Sequence, residues 1–316
     1  IQAHVDGSQL IDSVQGDKAV TALGKALIAL VEQGFKEQRW QPDCDAALLA
    51  EILRLPGYQY VLEQFESIDI RAIESAIEIL QTALALQLKT VLTTAYVNLS
   101  QQLVALGDYS PSADHIALRS LKNTCLGYLM RAQDETLVSH AVDQYQAANN
   151  MTDQASALAA LVNCPLDEAE SEAADCLAQF YTQFSHESLV VNQWLGLQAS
   201  SSKPNALQRV KSLMQNEAYD NTNPNKVRAL IGGFCMRNIP QFHADDGAGY
   251  DLLADEVIRL DALNPQLASR LLTPLTQWRR FAAPQCELMR AALKRIADTD
   301  DLSADVFEVV SKSSDE

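Results

Sequence analysis

Two arginines stand out among the residues able to do chemistry. Asn223-Pro224 and Asn264-Pro265 each read as a helix start, with Asn as the N-cap and Pro at the first helical position, and Arg228 and Arg270 follow them. On the first helix Val227, Leu230, Ile231 and Phe234 fall on the buried stripe, with Arg228 on its flank beside Gly232. On the second, Leu267, Leu271, Leu275 and Trp278 form the stripe and Arg270 flanks it. A guanidinium placed there has two uses. One is bidentate capture of a carboxylate, helped by the positive end of the helix dipole. The other is a structural ion pair with a neighbouring Asp or Glu, and the pattern leaves both open.

Other constellations are weaker. There is no HExxH, and the five histidines never pair at ligand spacing on one helix face. His243, Asp245 and Asp246, followed by Gly247-Ala248-Gly249, read either as a ligand-facing loop or as a polar turn capping a helix at Tyr250. The turn is the simpler explanation. No GxSxG surrounds a serine. Asp167, Glu168, Glu170, Glu172 and Asp175 suit the start of a helix, where the dipole favours negative charge. Trp278-Arg279-Arg280-Phe281 fits an anion-stacking site and a helix C-terminus equally well. The six cysteines are scattered without CxxC pairing, which suits buried free thiols in a reducing cytoplasm. Asn98-Leu-Ser100 and Asn150-Met-Thr152 match the glycosylation triplet by chance, because both fall in or beside helical runs.

The elements that must position these residues are helices. Hydrophobic content of 47% supports a sizeable core, and few Gly and Pro residues with abundant Ala, Leu and Gln favour helix. An entry segment over residues 1–15 precedes a helix capped by Asp17 and stopped at Gly34. Asp43 is expected to cap a helix with Ala47, Leu48, Ile52 and Leu55 on one side. From Ile70 to Leu106 apolar residues advance by three or four at every step; that length predicts two antiparallel helices with a break near Gln87 to Thr90. Further helices open at Ser112, Asp134, Thr152 or Asp153, and Pro165, and one runs from His186 to Gln198. Ser200 to Pro204 reads as the most linker-like segment. Helices recur from Ala206, Pro224, Gly249, Pro265, Pro284 and Ser303. No segment alternates as a strand does. The expectation is an all-α superhelical solenoid of antiparallel helix pairs, HEAT/ARM-like but without a fixed repeat period, forming a single domain over 1–316.

Charge narrows the partners. The net −17 argues against nucleic acid and anionic membrane surfaces. Lys203 to Arg295 nonetheless holds 13 of the 24 basic residues and 9 of the 41 acidic ones, which sets that region apart electrostatically. No apolar run spans a bilayer. With Ile1 first and no targeting signal ahead of it, the chain is expected to be part of a longer polypeptide.

The blocks NPNKVRALIGGF, FHADDGAGY, LNPQLASRLLTPLTQWRRF and LMRAALKRIA with LSADVFEVVSK resemble the carboxy-terminal helical domain of bacterial aminopeptidase N, in the M1 family of zinc metallopeptidases. Weaker similarity runs upstream through LRSLKNTCLGYL, NNMTDQASALAALV and SLVVNQWLGLQA. The resemblance implies a HEAT-like superhelical domain that closes over a zinc domain and walls off its cavity. It implies a peptide substrate and contact with the catalytic and β domains of the same polypeptide. No cofactor is implied in this chain; the zinc, its ligands and the GAMEN motif would belong to the catalytic domain. By resemblance Arg228, Arg270 and Gln266 face the cavity near bound peptide, with Lys226 less firmly placed. A different class of reading, a helical-repeat scaffold binding a protein partner, also fits the residues.

Overall fold

A computed structural model describes residues 18–314, so the expected entry segment over 1–15 and the cap at Asp17 lie outside the described residues. The architecture is all-helical apart from one antiparallel ribbon, Phe35–Lys36 with Arg39–Trp40. Glu37 and Gln38 turn it in left-handed backbone, at φ 49 and 63. That turn usually uses Asn and Gly, so its sequence carries no hairpin signal. Gly34 is required beneath it, because a Cβ there would meet the Trp40 ring at 2.1 Å.

Contacts gather the described residues into two compact units, 18–57 with 74–179 and 58–73 with 180–314. The first is built around most of a 36-residue helix, Ile70–Ala105, which runs without the break expected near Gln87 to Thr90. Leu84, Leu88, Leu92 and Leu99 are fully buried, so the apolar stripe continues through the proposed break. Thr93 and Thr94 return their hydroxyls to the carbonyls of Lys89 and Thr90 at 2.8 and 3.1 Å, and no Gly or Pro opens the turn.

Three further expectations are corrected. The Ala46–Leu53 helix is capped by Asp45, not Asp43, and buries Ala46, Leu49, Ala50 and Leu53. Leu48 and Ile52 point out, 57% and 46% exposed. Met151–Val162 is capped by Asn150, whose side chain accepts from the Asp153 amide at 2.9 Å. The Asp153 carboxylate is thereby free to pair with buried Lys122 at 2.8 Å. Ser200 to Pro204 is no linker. Asn238 donates to the carbonyls of Ala199 and Ser201 at 3.0 and 2.6 Å, pinning the turn inside its unit.

All six cysteines are free, four of them buried, and burial pushes the Cys125 thiol up to about 12. Asn98 is buried in mid-helix and Asn150 serves as a cap, so neither triplet presents an open acceptor. In the second unit Phe180, Leu195, Val227, Leu230, Ile231, Phe234, Phe242, Tyr250 and Leu253 form the core. Each large side chain among them contributes roughly 1.5–3 kcal/mol by leaving water.

Candidate functional site

Asn223 and Pro224 start a helix as the sequence requires, but its α-helical part ends at Val227. Arg228–Arg237 continues as a π-helix, whose wider turn buries six consecutive residues, Leu230 to Cys235. An α stripe buries fewer. The cause lies in Gly232 and Gly233. A Cβ on Gly233 would stand 3.2 Å from the Ala199 Cβ and 3.6 Å from the Gly196 Cα, so the Ser188–Ala199 helix crosses at glycine-to-glycine range. The Gly-Gly pair inside a continuous apolar run was the available signal for this departure.

Arg228 occupies the α-to-π junction and is exposed. Its guanidinium donates to the Asn225 side-chain oxygen at 2.9 Å and makes no ion pair among the described residues. Asn264 caps Pro265–Leu271 by accepting from the Leu267 amide at 3.1 Å. Arg270 lies in the last turn of that helix, exposed, and its guanidinium has no hydrogen bond or ion pair among the described residues. Gln266 lies four residues earlier on the same face and is also exposed. The structural ion pair open to these arginines is therefore not formed.

Gly232 connects the two elements. A Cβ there would stand 4.0 Å from the Arg228 Cβ and 3.9 Å from Leu271 Cδ2, so Arg228 and the residue following Arg270 meet across one glycine. Lys226 behaves differently: its ammonium donates to the Ala218 carbonyl and braces its own loop. The caps also change the chemistry of the helix starts. These helices span four and seven residues, and the Asn side chains take up free N–H groups, so the guanidinium groups remain as the donors for an anion.

The neighbouring motifs are structural. His243 is buried, stacks on Phe281 at 4.5 Å and shares Nδ1 with the Tyr250 hydroxyl at 2.8 Å. Burial, then the nearby Arg71 charge, lower its imidazole to about 3. Arg71 holds Asp245 at 3.0 Å and donates to the His243 carbonyl, and Gln285 donates to Asp245 at 2.6 Å. Asp246 accepts from the Ala248 amide at 3.0 Å just ahead of the next helix, whose N-cap is Gly247. In the Trp278–Phe281 segment, Arg280 donates to the carbonyls of Leu62 and Phe65 at 2.9 and 3.0 Å, while Arg279 and Trp278 both donate to Ser313. His243, Asp245 and Arg280 are thus engaged within the fold, whereas Arg279 keeps an exposed guanidinium with one bond to a carbonyl.

Among the described residues no group of three or more His, Cys, Asp or Glu side chains could hold a metal ion. Nor is any described helix long and apolar enough to cross a membrane.

Comparison with known proteins gives the family. A model described as domain of unknown function (DUF3458_C), ARM repeats, matches residues 6–315. Aminopeptidase N of Escherichia coli K12 is 37% identical over 284 residues, covering 90% of this chain and 32% of that protein. Aminopeptidase N of Haemophilus influenzae is 35% identical, covering 85% of the chain and 30% of that protein. The Caulobacter vibrioides enzyme is 33% identical, covering 96% and 33%. A crystal structure of Legionella pneumophila aminopeptidase A in complex with aspartic acid superposes with a TM-score of 0.75 at 28% identity, covering 98% of this chain and 39% of that one. The chain thus spans about a third of the length of the curated relatives it matches.

Proposed function

The chain belongs to the DUF3458_C ARM-repeat family, and from that premise we propose that it is the non-catalytic helical domain of a zinc aminopeptidase that removes N-terminal residues from peptides. In this reading the chain is a helical domain, cytoplasmic in keeping with its free thiols, that closes the cavity of an M1-type catalytic domain. Zinc, held by that other domain, would supply the hydrolytic chemistry. This chain's residues bind and orient the peptide.

The observation that carries the reading is the state of two arginines. Arg228 and Arg270 are exposed and without carboxylate partners among the described residues, on two helices that approach each other where Gly232 lies beside Leu271, in a chain with 41 acidic residues. Their guanidinium groups donate to the peptide's carboxylate or backbone carbonyls, and Gln266 offers both a donor and an acceptor beside Arg270. Lys226 shapes the loop before Arg228 rather than reaching the ligand.

A photo-crosslinking residue at position 266 of the full-length polypeptide tests this placement. A non-hydrolysable peptide analogue should crosslink there, and excess substrate peptide should compete it away. Crosslinking that substrate peptide leaves unchanged would remove Gln266 from the site.

A further inference from the structure

The unit of residues 18–57 and 74–179 also contains an arginine without a carboxylate. Arg119 lies on the Ala113–Leu129 helix, only 5% exposed. Its guanidinium sits 4.8 Å over the Tyr109 ring and gives one N–H to the Ser110 carbonyl at 2.9 Å. It makes no ion pair among the described residues. Asp153 is already engaged: its carboxylate pairs with Lys122 at 2.8 Å and accepts from Asn123 at 2.9 Å. A buried guanidinium with most of its donors unused is costly until an anion meets it.

Arg119 lines an open hollow of about 760 Å³, between faces of the Ala113–Leu129 and Met151–Val162 helices. Arg54 and Arg131 line the same hollow, and no Asp or Glu does. The Arg131 side chain is half-buried and has no partner among the described residues. Arg54 is exposed at the rim and pairs with Glu51 at 3.1 Å. Ser120, Asn123, Thr152 and Ser156 add hydroxyl and amide groups to the walls, while Gly127 and Ala159 leave room.

We propose that this hollow binds the free C-terminal carboxylate of a short peptide, with Arg119 and Arg131 holding the carboxylate and the wall groups meeting the backbone. The guanidinium fork would accept an inorganic anion with the same chemistry. The extent of the hollow and its mixed donors and acceptors favour the peptide.

Calorimetry on the full-length polypeptide tests it with an N-acetylated tripeptide acid, whose blocked amine protects it from an aminopeptidase, alongside its C-terminal amide and inorganic phosphate. The acid should bind at least about tenfold more tightly than the amide, and Arg131→Ala should remove about that advantage. Gly127→Leu should block the acid as well. A Cβ at Gly127 meets nothing within 4 Å, and replacing a helical glycine favours the helix, so this variant keeps the fold. Equal binding of acid and amide, or affinity unchanged in both variants, would overturn the site. Phosphate binding as tightly as the acid would overturn the peptide as its ligand. Peptidase kinetics of Arg131→Ala separate this proposal from the role given to Arg228 and Arg270, because loss of calorimetric binding with normal kinetics leaves that role intact.

Discussion

Arg71 and Arg280 on one side, Arg228 and Arg270 on the other, are the same residue type in the same unit put to opposite uses. Arg71 and Arg280 spend their donors on the carbonyls of His243, Leu62 and Phe65 and on the Asp245 carboxylate, tying residues 58–73 to the segments from 240 to 281. The Arg228 guanidinium bonds only the Asn225 side chain, and the Arg270 guanidinium bonds no described residue. Folding therefore consumes the first pair and leaves the second available. A ligand can use only what folding has left.

The largest effect that separates the two pairs is on stability. Arg71→Ala removes a donor from the His243 and Pro240 carbonyls and the ion pair with Asp245, leaving Gln285 as the side-chain donor to His243 and Asp245, and should cost about 1–2 kcal/mol in denaturant unfolding. Arg228→Ala and Arg270→Ala, by contrast, should stay within about 0.5 kcal/mol of the parent. A comparable loss in all three would erase the distinction.

A smaller effect sharpens the structural side of the comparison. His243 lies beneath the Arg71 contact with its imidazole lowered to about 3, so the folded protein leaves it neutral where the unfolded chain, near 6.5, takes up a proton. The stability this represents is complete above 6.5 and is lost as pH falls toward 3, at up to about 1.4 kcal/mol per pH unit. His243→Gln should flatten that slope in acid unfolding curves, and an unchanged slope would place the titration elsewhere.

Much of this was legible in the residues. The Asn-Pro starts form as the sequence requires, because a side-chain cap and a preset φ act locally and need no tertiary information. Val227, Leu230, Ile231 and Phe234 are all fully buried as the stripe predicts. The long helix is legible as a stripe, and with no Gly or Pro near Gln87 to Thr90 its length alone does not break it. The π-helix was not legible as such, since its cause is the close crossing of Gly196 on Gly233, a contact between residues far apart in sequence. The partners of Arg71 and Arg280 were hidden for the same reason. Whether an arginine is used or idle depends on which carbonyls the fold brings to it. The setting of Arg119 is not legible in the sequence, because its burial and the pairing of Asp153 with Lys122 exist only after folding.

The central claim, that the idle arginines serve the peptide, is tested most directly by steady-state kinetics of Arg228→Ala and Arg270→Ala in the full-length enzyme on two substrates, a tetrapeptide and a single-residue chromogenic amide. Each variant should lower kcat/KM for the tetrapeptide by about tenfold or more while changing the amide little, since one lost charge-assisted hydrogen bond is worth about 1.5–3 kcal/mol. Equal losses on both substrates, or none on either, would contradict the account.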